Sequence, residues 1–273
     1  MNGFDNVIAS IAAKTKPSET EYRAEDGTYR CLKCNAKTRT IIKLSDKEIE
    51  VHCACKCDEQ KSQEFKDREK AELIDRKKRV CFPQRAMREW NFENDDRANP
   101  RFSDAMARYA DQFGDFLKES KGILMYGPVG TGKSFYAACI ANRIIENGYS
   151  AYMSNFSTLV NSIQAPGVDK NEFISSLNRY DLLIIDDLGT ERTSEYMQEI
   201  VFDIIDKRCT SGLPMIITTN LTSEEFKNPD NIMMERICDR ILERCFPVEI
   251  KCGSRRRNEA KKSYMDVKLR LGL

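Results

Sequence analysis

Residues 127–134 read Gly127-Pro128-Val129-Gly130-Thr131-Gly132-Lys133-Ser134, and this order of residue types suits a polyphosphate. The glycines let the backbone turn tightly, so that successive N–H groups face inward on a phosphate chain. Lys133 would reach the outer phosphates, and Ser134 would offer its hydroxyl to Mg²⁺. The loop follows an apolar run, Ile123–Tyr126, and opens a helical pattern whose N-terminal end adds partial positive charge.

Two further runs extend that chemistry. Leu182-Leu-Ile-Ile-Asp-Asp187 has a buried-strand composition and ends in two carboxylates. Ligands collect at the carboxyl ends of strands in parallel sheets. Asp186 is therefore the candidate for the Mg²⁺ side and Asp187 for polarising an attacking water, with Glu191 a second candidate for the water. Many hydrolytic enzymes with such a phosphate loop use Glu where Asp187 stands, and the shorter side chain fits slow basal turnover. Pro214-Met-Ile-Ile-Thr-Thr-Asn220 is a third strand, whose terminal Asn220 could contact a γ-phosphate or a water.

A second kind of chemistry lies upstream. Five of the 11 cysteines fall between Cys31 and Cys57, in the pattern Cys31-x-x-Cys34 followed by Cys53-x-Cys55-x-Cys57. The spacing suits a closed, structural Zn²⁺ site of four thiolates. Cys31, Cys34, Cys55 and Cys57 are the favoured set, with Cys53 and His52, the single histidine, competing for a place. A redox pair, a free-thiol cluster and an Fe–S centre remain open. Cys81, Cys139, Cys209, Cys238, Cys245 and Cys252 are expected to be small core residues.

The elements that must position these groups follow from periodicity. Strands are expected at Ile123–Tyr126, Ala151–Ser154, Leu182–Asp186, Met215–Thr219 and Val248–Ile250. Helical patterns alternate with them at Lys133–Asn147, Ser157–Ile163, Glu172–Asn178, Ser194–Cys209 and Met233–Arg244. That alternation indicates an α/β fold with a parallel sheet and flanking helices. Residues 58–80 read as an exposed, charge-rich helix whose basic run Arg76–Arg79 is a solvated face. The expected organisation is a zinc-binding module over 1–57, a charged linker over 58–91 and the phosphate-binding domain over 92–273.

Taken together, GILMYGPVGTGKS, LLIIDDLGTE, EIVFDIIDKRCTSGLPMIITTNL and ERICDRILERC resemble the AAA+ ATPases. Within these, they are similar to the DnaC/DnaI replicative-helicase loaders and their IstB-like relatives, over about Phe92 to Arg256. The resemblance implies an ATPase in which Lys133 and its loop bind ATP, Asp186 and Ser134 hold Mg²⁺, and Asn220 is a first sensor. It implies that Arg240 reaches into a neighbouring subunit's site, so that subunits assemble head to tail. Ser254-Arg-Arg256 matches a second-sensor pattern, which makes Arg256 a nucleotide contact. The stretch after Ile250 is too short for a full helical lid, as in loaders and IstB-like proteins. Some loaders carry an amino-terminal zinc module that grips the helicase, and the cysteine cluster is similarly placed. The implied partners are a DnaB-type helicase and single-stranded DNA. The alternative is an IstB-like transposition helper that recruits a transposase; a nucleotide-gated adaptor that does not hydrolyse ATP and a P-loop kinase are more distant.

Composition bounds the rest. The chain has 273 residues, 32% of them charged, with a net charge of +1. A mean hydropathy of −0.56, with no apolar run near 18 residues and no secretory pattern at the start, leads to the expectation of a cytoplasmic protein that does not enter a membrane. The near-neutral total suggests no nucleic acid, yet residues 251–273 hold eight Lys/Arg against two Asp/Glu. A basic DNA-facing segment can hide in that average. Lys207, Arg208 and the basic residues from Lys251 onward are the candidates.

Overall fold

The computed structural model describes residues 20–44, 47–82, 84–189, 195–229 and 231–271. The chain divides into two compact units, one ending at Leu73 and the other beginning at Ile74.

The first unit holds two antiparallel hairpins. Strand β1 (Glu21–Arg23) pairs with β2 (Tyr29–Cys31), and β3 (Arg39–Leu44) pairs with β4 (Lys47–His52). Helix α1 (Lys56–Cys81) follows, starting two residues earlier than the sequence pattern indicates, so Cys57 lies inside its first turn. Hairpins this short bury little. Among the described residues up to Leu73, the buried ones are Cys31, Thr38 and Cys55, joined by the side chains of Glu21 and Arg39.

The second unit is a three-layer α/β structure. Helices α2 (Pro100–Asp111) and α3 (Phe113–Lys118) precede β5 (Gly122–Tyr126), which leads through the phosphate loop into α4 (Lys133–Glu146). Strand β6 (Ala151–Asn155), helices α5 (Phe156–Gln164) and α6 (Lys170–Leu177), β7 (Leu182–Leu188) and α7 (Glu195–Thr210) come next. Strand β8 (Met215–Thr219), α8 (Ser223–Lys227), α9 (Ile232–Arg244), β9 (Cys245–Glu249) and α10 (Arg255–Arg270) complete the chain order. All five strands are parallel, in the order β6-β7-β8-β5-β9.

Alternation along the strands builds two cores. Leu182 and Ile184 of β7, with Ile123, Met125 and Ile216, pack under α4, where Tyr136, Ile140, Ile144 and Ile145 are fully buried. Leu183 and Ile185, with Leu124, Met215 and Ile217, pack on the other face against Leu159, Ile204, Ile205 and Ile241. The phosphate loop and the ends of β7 and β8 therefore project from a sheet whose two faces are both covered.

Three surface readings change. Arg76 and Arg79 are exposed as expected, but Lys77 and Lys78 are half-buried: Lys77 donates to the carbonyls of Gly148 (2.5 Å) and Tyr149 (3.0 Å), and Lys78 pairs with Glu146 at 2.7 Å. Both cations thus sit at the carboxyl end of α4, where the helix dipole favours them. Cys252 is half-buried rather than a core residue, while the other five scattered cysteines are buried.

Arg208 is the third change. It is fully buried and cannot face DNA. Its guanidinium donates to the carbonyls of Pro214, Tyr180 and Asp181 at 2.8–2.9 Å and to Leu177 at 3.4 Å. Burial pushes its pKa down to about 10, which leaves it charged at neutral pH. It joins the end of α6 to the turn before β8, and the backbone donors to two of these carbonyls stand far off, Tyr180 N at 3.4 Å from Leu177 O and Leu183 N at 3.5 Å from Pro214 O. Replacing it by Leu takes the short donors from those acceptors, at about 1–3 kcal/mol for a buried group. Arg208→Leu is expected to lower the thermal midpoint by several degrees, measured by differential scanning calorimetry; an unchanged midpoint would contradict this role.

Candidate functional site

The phosphate loop owes its shape to three glycines with left-handed backbones, Gly127 (φ 141°), Gly130 (φ 83°) and Gly132 (φ 101°). Space as well as φ excludes side chains at two of these positions. A Cβ on Gly127 would stand 2.6 Å from the Ile250 carbonyl oxygen, and one on Gly130 would stand 2.3 Å from Ser254 Oγ. The returning carboxyl-terminal segment fixes the loop: Ile250 N donates to Tyr126 O at 2.9 Å and Arg255 N to Gly130 O at 2.8 Å. Inside the loop, the buried Thr131 hydroxyl donates to Pro128 O at 2.9 Å. Val129 is exposed at the tip.

Lys133, at the start of α4, spends its three protons on Gly127 O (2.7 Å), Pro128 O (2.9 Å) and Asn220 Oδ1 (2.6 Å). Burial lowers its ammonium pKa, while Asp187 and Asp186 oppose the shift. Asn220 turns its amide the other way and donates to Asp187 Oδ1 at 2.6 Å. One side chain thus links the loop lysine to the carboxylate beyond it.

Asp186 and Asp187 owe their placement to a β-bulge. Between β7 and β8 the register jumps from Ile185↔Ile217 to Leu188↔Thr219, so both aspartates stand opposite Thr218 alone. Asp187 takes a left-handed backbone (φ 61°), uncommon for a residue with a side chain. The buried Thr218 hydroxyl donates to Asp186 Oδ1 at 2.5 Å and accepts from Asp187 N at 2.9 Å. Ser134 donates to the same Asp186 oxygen at 2.9 Å. Burial pushes the Asp186 carboxyl above the ordinary carboxylate range, and the hydroxyls of Thr218 and Ser134 pull it back.

These groups line a cleft of about 520 Å³ with Trp90, Asn94, Asp96, Phe135, Arg255 and Arg256. The two arginines differ. Arg255 is pinned by Asp95 (2.9 Å), Asp96 (2.9 Å) and the Tyr136 hydroxyl (2.8 Å), and lies over the rings of Phe135 and Tyr136. Arg256 is exposed at the cleft, with no carboxylate partner among the described residues. The sequence singled out Arg256 and missed Arg255, Asp95, Tyr136 and Thr218. No motif marks these four, because the chain is folded back over 119 or more residues to join Arg255 to Tyr136 and Asp95.

Arg240 is not among the cleft residues. It is half-exposed on α9 and pairs with Asp206 (2.9 Å) and Glu243 (3.0 Å). Glu191 lies outside the described residues.

The residues present fit Mg²⁺ and a nucleotide. A cradle that a Cβ would fill, a lysine at its rim and a hydroxyl–carboxylate pair 2.9 Å apart form the donor set such a ligand needs. Ser134 and Asp186 would hold the metal, whose charge would favour the ionised Asp186.

The cysteines form a separate group in the other unit. The sulfurs of Cys31, Cys34, Cys55 and Cys57 all lie within 4.8 Å of one another. A tetrahedron of thiolates at about 2.3 Å from Zn²⁺ has edges of about 3.8 Å, so the group fits that ion. Cys31 and Cys34 flank a knuckle in which Asn35 is left-handed (φ 58°) and donates its N–H to Cys31 O. The N–H groups of Cys34 and Lys33 pull the Cys31 thiol down to about 7. Cys53 and His52 stand outside the four. His52 lies instead against Glu21 (3.2 Å) and Asp58 (3.7 Å).

A parallel five-stranded sheet with this phosphate loop defines a P-loop ATP-binding protein of the AAA+ type. Residues 56–263 match the family described as IstB-like ATP binding protein, and the chain belongs to that family. The replicative helicase loader DnaI of Bacillus subtilis is 28% identical over 162 residues, which is 52% of this chain and 51% of that protein. A putative insertion sequence ATP-binding protein of Sinorhizobium fredii is 30% identical over 149 residues, 53% of this chain and 50% of that protein. A crystal structure of DnaI shares the fold, with a TM-score of 0.55 at 22% identity, covering 66% of this chain and 99% of that one. The chain thus spans about half the length of the curated relatives it matches. Among the described residues, no helix is long and apolar enough to cross a membrane.

Thr218 supplies a test of the bulge. Thr218→Val keeps the shape and removes the hydroxyl that both aspartates use. ATP affinity should stay within about threefold, while single-turnover hydrolysis falls roughly 10- to 100-fold, the usual cost of losing a group that orients a ligand of the metal. Thr218→Ser should restore most of the rate. Equal rates for all three proteins would remove Thr218 from the site.

Proposed function

We propose that this protein is an ATP-dependent loader that places a DnaB-type hexameric helicase on single-stranded DNA. The observation that carries the reading is the joining, in one chain, of an IstB-like ATP site and a four-cysteine group at the head of a long charged helix. Residues 1–57 would form the zinc module that binds the helicase, 58–91 the connection, and 92–273 the ATPase. A metal suits such a module because its hairpins have almost no apolar core of their own.

In the ATPase, backbone N–H groups of residues 129–134 and the Lys133 ammonium would bind the phosphates. Bound Mg²⁺ would neutralise phosphate charge. Asp187 would orient the attacking water, and Asn220, bonded to both Lys133 and Asp187, would sense the phosphate. Arg256 would close the cleft in cis. Arg240, held on α9 by Asp206 and Glu243, would serve the site of the next subunit in a head-to-tail assembly. An arginine supplied in trans is worth about 10³–10⁵ in rate, so hydrolysis would wait on assembly.

Two experiments test this. Lys133→Ala should abolish ATP binding, whereas Arg240→Ala should bind ATP normally and lose the hydrolysis stimulated by helicase and DNA. Normal stimulated turnover in Arg240→Ala would refute the trans role. The second is co-purification with DnaB-type helicases, with zinc measured on the same sample. About one Zn²⁺ per chain and a stable complex are expected, and Cys34→Ser should lose both while still binding ATP. Capture of a transposase instead of a helicase would favour the transposition-helper reading, which the insertion sequence relative keeps in view.

A further inference from the structure

Helix α10 (Arg255–Arg270) is rooted in the phosphate loop through Ser254 and Arg255, yet every described side chain beyond Arg255 is exposed. Its residues are not distributed at random around the axis. Arg257, Lys261, Tyr264 and Lys268 follow the spacing i, i+4, i+7, i+11, which at 100° per residue places them within about 60° of arc. The stripe runs about 17 Å along the helix. Tyr264 is 67% exposed in the middle of it.

The cations of this stripe are uncommitted. Arg257, Lys261 and Lys268 have no carboxylate partner among the described residues. The neighbouring acid Asp266 is instead paired at 2.9 Å with Arg270, well round the helix from the stripe. Three cations flanking an exposed ring match a strand that offers phosphates along its backbone and unpaired bases with open faces. A duplex stacks its bases internally and would leave Tyr264 unused. Nothing in the stripe calls for a 2′-hydroxyl, and the loader reading sets a deoxy strand as the ligand. A membrane surface fits poorly, because the stripe separates Val267 and Leu271 on one side from Met265 and Leu269 on the other. An interfacial helix gathers its apolar residues on one face.

We propose that Arg257, Lys261, Tyr264 and Lys268 form a contact surface on α10 for single-stranded DNA, with Tyr264 stacking on a base and the three cations on phosphates. The proposal deepens the loader reading by naming where the strand is held. The first residue of α10 is bonded to the phosphate loop, Arg255 N donating to Gly130 O at 2.8 Å.

The test is fluorescence anisotropy of the full-length protein with a labelled oligo-dT strand, the equivalent duplex and the equivalent ribo-strand, each over a salt series. Wild type is expected to bind the deoxy single strand more tightly than the duplex. Lys261→Ala with Lys268→Ala should flatten the slope of log affinity against log salt by about 1.4, at 0.7 per phosphate contact. Tyr264→Ala should weaken binding about 5- to 150-fold, as for loss of one stacked base, and Tyr264→Phe should restore it. ATP binding and helicase co-purification, measured on the same preparations, report on the loader reading separately. Unchanged strand affinity and salt slope in these variants would overturn the proposal while leaving that reading intact. Loss of helicase capture with strand affinity retained, or preferential binding to anionic phosphatidylserine vesicles, would assign the stripe to another partner and equally overturn it.

Discussion

The whole site depends on the contact between the phosphate loop and the segment that follows β9. Gly127, Gly130 and Gly132 hold backbone conformations that only glycine adopts without strain, and such a loop has little reason of its own to keep one shape. Hydrogen bonds from Ile250 to Tyr126 and from Arg255 to Gly130 supply that reason. They also set the approach so close that a Cβ at Gly127 or Gly130 would collide with the returning chain. The same contact seats Arg255 among Asp95, Asp96 and Tyr136, leaves Arg256 at the cleft and sets the direction in which α10 departs. Loop shape, arginine placement and helix direction therefore form one cooperative arrangement rather than three separate ones.

Opposite this clasp, the acidic side of the cleft is fixed by the sheet. A regular parallel ladder would turn Asp186 and Asp187 to opposite faces. The bulge brings both under the control of Thr218, and the left-handed Asp187 turns its carboxylate to Asn220. The line Lys133–Asn220–Asp187 then crosses from the loop to the end of β7 through two hydrogen bonds of 2.6 Å. A new partner for Lys133 would displace Asn220 Oδ1 or one of the two loop carbonyls, and the Asn220 amide has both its ends in use. Accepting from Lys133 and donating to Asp187 at once is a property of the amide group that neither Asp nor Leu could supply.

The parallel sheet was legible because its signal is local: four apolar residues before Asp186, four before the phosphate loop, and helical periods between them. The loop motif was legible for the same reason. The helices at Pro100–Asp111 and Phe113–Lys118 and the two amino-terminal hairpins were not assigned from sequence. Arginine shows the limit most clearly. Arg208, Arg240, Arg255 and Arg256 are chemically identical, yet one is buried among carbonyls, one pairs on a helix face, one is clasped by aspartates and one stands at the cleft. Arg208 read as a surface charge because a pattern gives no hint that the ends of α6 and α7 converge on a group of buried carbonyls. Those distinctions are made by contacts between segments 27 to 160 residues apart.

The two units solve the problem of stability by different means. The larger one covers both faces of a sheet with apolar side chains, so its ligand groups can stand at the rim without supporting the fold. In the smaller one, Cys31 and Cys55 are themselves buried while Ile41 and Ile42 of β3 are exposed. A buried network around Arg39, which pairs with Glu21 and lies over the Tyr29 ring, ties the hairpins together, but one ion pair is weak compensation for a missing core. The four thiols sit where the core should be, at the knuckle after β2 and the first turn of α1. An ion bound there would join segments that little else joins, so metal affinity and folding of that unit would be the same free energy. Its exposed isoleucines would then be free to serve as surface for a partner, a use that an apolar core would forbid.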